Sequence, residues 1–191
     1  MVFTLIEIIY LVILVFSVGF IFSGFIQKPS TDPIQRILNQ RKRFDWSSIK
    51  YAMWVAAPGI VFHELAHKFV AMGFGLQANF FVWPTGIVLG IILKFLGSGF
   101  ILLAPGYVST FGATLAQSAW ISLAGPLING TIWLGSFLFL KYRKNIPRNQ
   151  AVFIGLTGKI NKWLFIFNLI PIPPLDGSKV FFYLGSLLGF F

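Results

Sequence analysis

Long apolar runs, separated by short polar stretches, are the feature that most constrains this chain. Several runs reach roughly 20 residues, the length that an α-helix needs to cross the hydrocarbon core of a bilayer. Charged residues make up 10% of the sequence, whereas a soluble domain carries about 25%. A folded surface with so little charge needs lipid to cover it. The sequence therefore predicts an all-α polytopic membrane protein with about 4–6 transmembrane helices.

The order of polar and apolar stretches predicts one integral-membrane domain over residues 1–191. Residues 1–50 comprise a first span, roughly 2–26, and a basic connection, and residues 51–191 form the core. The apolar start has no basic n-region and no small-residue cleavage site, which favours a retained helix over a signal peptide. The connection is either a short amphipathic helix on the membrane surface, beginning after Asp32, or a solvated loop.

Further apolar sections follow in the core. Residues 51–76 and 113–140 each predict a span, and residues 151–191 predict two helical pieces around a proline-rich centre. Residues 79–110 are apolar but rich in glycine and proline. They predict either one plain helix or a β-hairpin and re-entrant segment, which is tolerated at membrane depth only where protein or water satisfies the backbone.

The net charge of +10 comes from basic residues clustered between apolar runs. Lysine and arginine in such places act as topology signals and contact phospholipid headgroups, so we expect the lipid bilayer, and no nucleic acid, as a partner. The positive-inside rule would place the basic connections 28–50 and 141–162 in the cytoplasm if an even number of crossings separates them. The chain has no cysteine, which excludes disulfides and thiolate metal ligands.

The two histidines of the chain lie four residues apart in His63-Glu64-Leu65-Ala66-His67. Four residues of α-helix turn by about 400° and rise by about 6 Å, so both imidazoles project from one face and can hold one metal ion. Glu64 follows His63 by about 100°, close enough to act as a general base there. This is the H-E-x-x-H arrangement of zinc-dependent hydrolases.

A chance match or a hydrogen-bonded core histidine is the alternative to a metal site. Inserting an ionisable side chain at the centre of a membrane helix costs about 2.5–3.5 kcal/mol, and such residues are usually functional. Three of them on one helix, in a chain with five acidic residues in all, favour the metal site.

Asp176 is the candidate third ligand. Hydrolytic zinc usually takes three protein ligands and leaves one position for water. Because the chain has no cysteine and no further histidine, that ligand should be a carboxylate, and Asp176 is the only acid after His67. The alternative is that Asp176 caps a helix that begins near Gly177.

Three segments together resemble the site-2 protease family of intramembrane zinc metalloproteases, peptidase family M50. They are His63–His67, Ala124–Asn129, and Asn168–Pro171 running into Pro174–Gly177. The resemblance spans roughly residues 54–184, in the order and approximate spacing of the family. Relatives commonly place the region after the histidine helix towards the cytoplasm, which would put the basic connections outside and leaves the orientation open.

The resemblance implies one zinc ion per chain, bound by His63, His67 and Asp176, with Glu64 as the catalytic acid/base. It also implies that Asn129 is a catalytic residue that holds the substrate backbone or the oxyanion. A hydrogen bond between helices is the alternative for Asn129, since polar side chains in membrane helices often make one.

Other residues of the three segments have structural expectations. Asn168 is expected to pair with backbone freed near the prolines, and Gly125 and Pro126 are expected to permit close packing on the histidine helix. Ser178 stands where the family often has a second glycine.

The resemblance implies an endopeptidase that hydrolyses peptide bonds in or near transmembrane segments, as a multi-pass protein of the cell membrane with membrane-protein substrates. Two alternatives belong to other classes: a metal transporter or sensor that uses the same ligands, and an inactive scaffold that binds membrane segments. Oligomeric state has no signal in the sequence.

Overall fold

The computed structural model describes residues 2–26, 29, 44–97 and 106–189. Within these ranges the chain is mostly helical, with one small sheet. The predicted surface helix after Asp32 lies outside the described residues. The elements, in chain order, are α1 (Leu5–Phe22), α2 (Trp46–Gly73), β1 (Ala78–Val82), α3 (Pro84–Phe95), β2 (Gly106–Thr110), α4 (Leu115–Tyr142), α5 (Arg148–Asn168) and α6 (Asp176–Leu187).

The long helices fall where the apolar runs predicted them, and side-chain caps set where three of them start, namely α1, α2 and α4. Thr4 and Glu7 form a capping box at α1, in which each side chain bonds the other residue's backbone N–H. Asp45 accepts from the backbone N–H groups of Ser47 and Ser48 at the start of α2. These bonds satisfy N–H groups that have no partner within the helix.

The segment over residues 79–110 contains a two-stranded sheet, so the all-α prediction and the single plain helix were wrong here. The antiparallel pairing of the hairpin alternative is present, with α3 rather than a tight turn between the strands, and the re-entrant placement stays a prediction. Strands β1 and β2 pair antiparallel, with Ala78 opposite Thr110, and α3 lies between them in the chain. Pro84, at the first turn of α3, suits a helix start because its missing N–H would have no helical partner there. Gly106 permits the pairing, since a Cβ there would lie 2.7 Å from the Phe80 ring.

Helix α2 lies at the centre of the structure and contacts α1, α4, α5 and both strands. Small residues on α2 let the neighbouring backbones approach closely, which is a packing mode known from membrane helix bundles. The main apolar core lies between α1, α2 and β1 and includes Leu14, Val18, Ala52, Val55, Ala56 and Phe80. The histidine helix is therefore held on several sides at once.

A buried ion pair joins α1, α2 and β1. Lys68 donates to the Glu7 carboxylate and to the Ala78 carbonyl oxygen, the latter at 2.9 Å. Glu7 also accepts from the backbone N–H groups of Phe80 at 2.8 Å and Thr4 at 2.9 Å. Both charged side chains are almost completely buried, and these bonds give each of them the partners that a buried charge requires.

By length and composition, α1 and α4 could each cross a membrane. Their apolar windows have mean hydropathies of 2.7 and 1.5, and 28% and 17% of those windows are buried in the fold. A core helix of a soluble protein would be mostly buried, so much of this apolar surface faces outwards. The predicted count of about 4–6 transmembrane helices stays a prediction.

Candidate metal centre

His63 and His67 project from one face of α2 with their rings in contact. The ring centroids lie 4.6 Å apart at an interplanar angle of 90°, and the two Nε2 atoms are 3.1 Å apart. Both residues are buried. The spacing of four residues thus brings two imidazole nitrogens to one point, as expected of this sequence motif.

Asp176 reaches the same point from the first residue of α6. Its Oδ2 lies 3.1 Å from His63 Nε2 and 3.3 Å from His67 Nε2. The helix has Leu175 as its N-cap, without any side-chain capping bond, so the carboxylate faces the histidines rather than capping its helix. Gly177 allows this placement, because a Cβ there would overlap the Leu169 backbone at the end of α5.

The three side-chain atoms are spaced as a tetrahedral zinc ion requires. Ligand atoms bonded at about 2.0–2.1 Å to a tetrahedral ion lie about 3.3 Å from one another. The three separations here are 3.1, 3.1 and 3.3 Å. Among the described residues these three form the group that could hold a metal ion.

Hydrogen bonds at the opposite side of each ring fix which imidazole nitrogen faces this point. His67 Nδ1 lies 2.6 Å from the Ile121 carbonyl oxygen of α4, which only accepts, so Nδ1 carries the proton. His63 Nδ1 lies 2.6 Å from Asn129 Oδ1 and donates in the same way. In neutral imidazoles both Nε2 lone pairs then face Asp176, and a cation bound between these atoms makes that arrangement favourable.

The side-chain amide of Asn129 makes hydrogen bonds to residues on two neighbouring helices. Its Oδ1 accepts from His63, and its Nδ2 donates to the Gly59 carbonyl oxygen at 3.1 Å and to Asn161 Oδ1 at 2.8 Å. An amide nitrogen has two hydrogens, so neither is left for a substrate oxyanion. The geometry favours the alternative of a bond between helices, one that orients a ligand, and the catalytic role of Asn129 stays a prediction.

Glu64 is buried beside the histidines, and its Oε2 has no hydrogen-bond partner within the described structure. A buried carboxylate oxygen without a partner costs free energy and calls for an explanation. A water or substrate group at the metal centre would supply that partner. The position suits a group that exchanges a proton there.

Gly125 of α4 lies against the ends of both rings. A Cβ at this position would lie 2.5 Å from His67 Nε2 and 2.7 Å from His63 Cε1. Pro126, which follows it, is fully buried. The close packing expected of these two residues is present, and it brings α4 directly onto the metal centre.

The sequence is similar to several curated proteins that carry the name putative zinc metalloprotease. One from Methanocaldococcus jannaschii is 40% identical over 125 residues, covering 64% of this chain and 64% of the relative. One from Bacillus subtilis is 28% identical over 153 residues, 70% of this chain and 68% of the relative. The chain is related to these zinc metalloproteases. The result agrees with the resemblance to the site-2 protease family.

Other comparisons limit how far the relationship extends. A Synechocystis relative of the same name is 31% identical over 121 residues, which is 63% of this chain but 27% of that protein. The matched part of the chain therefore spans less than two thirds of the Methanocaldococcus and Synechocystis relatives. No family model matches the chain, and no solved structure matches it significantly.

Zinc is the metal that these zinc metalloprotease relatives and the ligand group indicate together. Two imidazoles and one carboxylate are a donor set that catalytic zinc uses, with a fourth position open. The cofactor predicted from the sequence is thus confirmed.

Sequence reasoning missed three contributors to the zinc site. The Ile121 carbonyl belongs to the backbone, so no side chain identifies it. Gly59 lies one turn before His63 and gives Asn161 room, because a Cβ at position 59 would overlap the Asn161 amide. Asn161 is fully buried, but it lies between Lys159 and Lys162 in the sequence, so no contrast with its neighbours could have identified it.

Asn168 makes a different contact from the one expected. Its Nδ2 donates to the Leu164 carbonyl oxygen at 2.9 Å, within its own helix α5, rather than to the proline-rich connection. Ser178 donates to the Leu175 carbonyl oxygen at 2.7 Å and so reinforces the first turn of α6, where Asp176 lies.

Proposed function

We propose that this protein is a zinc-dependent intramembrane endopeptidase that hydrolyses peptide bonds in or near the transmembrane segments of membrane proteins. The observation that carries the proposal is the convergence of His63, His67 and Asp176 on one point, with three separations of 3.1–3.3 Å, beside the unpaired carboxylate oxygen of Glu64. The zinc metalloprotease relatives support the hydrolytic chemistry.

Each side chain has a distinct part in the proposed reaction. When bound, zinc lowers the pKa of water from about 15.7 towards 7 and polarises a carbonyl group. Glu64 removes the proton from the attacking water and later delivers it to the leaving amine. Its free, buried Oε2 is suited to this because no structural hydrogen bond has to break first.

The outward surface supports a location in a membrane. Large apolar side chains are exposed all around the bundle, among them Trp54 and Phe62 on α2, Trp120 and Leu134 on α4, and Phe181 on α6. Soluble monomers rarely expose contiguous apolar patches larger than a few hundred Å². Together with α1 and α4, this surface favours a multi-pass protein of the cell membrane with the metal centre enclosed between its helices.

Enclosure of the site constrains the substrate. The side chains of His63 and Asp176 are 10% and 18% exposed, so a small opening connects the metal centre to its surroundings. The carbonyl groups of a helical substrate are occupied by hydrogen bonds within the helix. A transmembrane substrate therefore has to unwind locally before one of its peptide bonds reaches the zinc.

The Glu64→Gln variant tests the reaction. The change keeps the size of the side chain but removes its capacity as a base, so we expect zinc content to stay at about one per chain while cleavage of a reconstituted transmembrane reporter stops. Ser186→Ala is the control, because Ser186 bonds its own helix at the Tyr183 carbonyl oxygen; it should cleave at the wild-type rate. Undiminished cleavage by Glu64→Gln would remove Glu64 from this role.

Membrane location and transport are tested separately. Alkaline extraction should leave the protein in the membrane pellet, and release into the supernatant would contradict a multi-pass protein. Zinc uptake into sealed vesicles without any proteolysis would favour a transporter that uses the same ligands. A transport path needs further ligands, and the described residues contain one group of possible ligands.

A further inference from the structure

A continuous chain of hydrogen bonds leads from α5 through α4 to a zinc ligand on α2. Asn161 Nδ2 donates to the Thr157 carbonyl oxygen at 2.8 Å. Asn129 Nδ2 donates to Asn161 Oδ1, also at 2.8 Å, and Asn129 Oδ1 lies 2.6 Å from His63 Nδ1. Three helices are thus connected by three side chains.

Backbone carbonyl oxygens fix which atom of each asparagine amide donates and which accepts in this series of hydrogen bonds. An asparagine amide can turn over and exchange its donor for its acceptor, but the Thr157 and Gly59 carbonyl oxygens only accept. Asn161 must therefore present Nδ2 to Thr157 and Oδ1 to Asn129. Asn129 must then present Nδ2 to Gly59 and Asn161, which leaves its Oδ1 for His63.

We propose that Asn161 is a positioning residue that sets the tautomer of His63 through Asn129. With Asn129 Oδ1 facing the ring, His63 holds its proton on Nδ1 and presents the Nε2 lone pair to the metal. The inference rests on the zinc centre of the proposed function, but it concerns metal affinity and histidine protonation rather than peptide hydrolysis.

Asn129 and Asn161 are packed in the interior of the helix bundle. Both asparagines are 0% exposed, so no water competes for their amides. Gly59 is the residue of α2 that lies over the pair, and a Cβ there would overlap the Asn161 amide. A buried polar network of this kind is favourable only when all its members are satisfied.

Asn161→Leu tests the proposal with a side chain that has the same number of heavy atoms and the same branching but no hydrogen-bonding group. It leaves one Asn129 N–H without a partner and removes one of the two acceptors, Asn161 Oδ1 and the Gly59 carbonyl oxygen, that hold the amide in place. The turned-over amide, with a hydrogen facing His63, then becomes more populated. Asn168→Leu is the matched control, because Asn168 lies on the same helix and its Nδ2 also donates to a carbonyl four residues earlier. Zinc affinity of each variant is measured by competition with a chromophoric chelator, on purified full-length protein in detergent.

We expect Asn161→Leu to weaken zinc binding roughly 10-fold, the lower end of the range for partners outside the ligand shell. Asn168→Leu should bind like the wild type. Equal affinities in all three proteins would overturn the proposal while leaving the proposed protease intact. Conversely, cleavage by Glu64→Gln would contradict the proposed protease function but would not affect the proposed role of Asn161.

Histidine protonation supplies an independent readout. The chain has two histidines, so selective ¹⁵N-histidine labelling gives signals from His63 and His67 alone. In metal-stripped protein, Asn161→Leu should add the Nε2–H tautomer at His63 and leave His67 unchanged, because His67 is held by Ile121. The same tautomer populations in wild type and variant would contradict the proposal.

Gly59→Ala keeps the inference testable if Asn161→Leu does not fold. Alanine has a higher helix propensity than glycine, so the change strengthens α2 locally while it displaces the Asn161 amide. Weaker zinc binding with the tautomer shift at His63 supports the proposal. Unchanged affinity and an unchanged His63 spectrum overturn it.

Discussion

Gly125 lies so close to His67 that a Cβ on the glycine would be 2.5 Å from the metal-facing Nε2. That distance is shorter than any ordinary van der Waals contact. The atoms in the way belong to the ends of the His63 and His67 rings, which are the ends that face Asp176. The absence of a side chain at position 125 is therefore a condition for the metal centre itself.

Gly125→Ala should disrupt zinc binding. The added methyl group forces the rings of His63 and His67 to move, and their Nε2 atoms then leave the tetrahedral spacing. We expect zinc content of the purified protein to fall well below one per chain, as measured by elemental analysis. Full zinc occupancy in the variant would contradict this prediction, because it would show that zinc still binds when position 125 carries a Cβ.

Gly135→Ala is the matched control on the same helix. A Cβ at position 135 would meet nothing within 4 Å. Since alanine replaces glycine inside a helix, stability should rise by up to about 1 kcal/mol while zinc content stays unchanged. Loss of zinc here would mean that α4 as a whole, rather than the contact at Gly125, determines metal binding.

Asp176→Ala should lose most of the zinc, because it removes the oxygen ligand and leaves two imidazoles. Asp176→Asn keeps the shape but offers a neutral oxygen, so we expect an intermediate zinc content. Both are compared with the wild type by metal analysis after gel filtration. Equal zinc in wild type and Asp176→Ala would remove Asp176 from the ligand set.

Lys68→Met should destabilise the fold strongly. It leaves the Glu7 carboxylate buried without its cationic partner, and breaking a buried ion pair from one side costs about 3–5 kcal/mol. The double variant Glu7→Leu with Lys68→Met removes both charges and should be less unstable than Lys68→Met alone. Denaturant unfolding in detergent measures the difference, and a double variant less stable than Lys68→Met would contradict this account.

Lys50→Met is the control for the loss of a positive charge on the same helix. Lys50 is exposed and lies 5.6 Å from the centre of the Trp46 ring. Surface substitutions of this kind usually change the free energy of unfolding by less than about 0.5 kcal/mol. A loss as large as that of Lys68→Met would mean that net charge, and not the buried pair, controls stability.

Asp45→Ala should destabilise α2 in a pH-dependent way. A hydrogen bond from the Ser48 hydroxyl is the main influence that lowers the pKa of Asp45 below its usual range. A lowered folded-state pKa contributes stability above the unfolded-state pKa of about 3.9, and that contribution is lost as pH falls through the folded-state pKa. We expect a loss of about 0.5–2 kcal/mol at pH 7.

Thermal unfolding of wild type and Asp45→Ala across pH 7 to pH 2 measures this effect. The gap between them should be constant down to about pH 4 and shrink below it. A gap independent of pH would show that the carboxylate charge at the helix start does not matter.

Local patterns were enough to locate most helices. The apolar runs placed α1, α2 and α4 within a few residues of their observed bounds, because a long apolar run has few alternatives to a helix. The secondary structure of the segment between α2 and α4 was ambiguous in the sequence. Its glycines and prolines disfavour a helix, but they do not predict which residues pair as strands. Pairing of β1 with β2 joins residues about 30 apart, and no local signal encodes it.

The sequence by itself determined the chemistry of the centre: two histidines at helical spacing, a glutamate beside them, and one downstream aspartate. The approach of Asp176 to both histidines, and the hydrogen bonds from Asn161 to Asn129 and from His63 to Asn129, were decided by the tertiary structure. The physical reason is that metal ligation and amide hydrogen bonding depend on distances of about 3 Å. Such distances between separate helices arise only when the whole bundle packs.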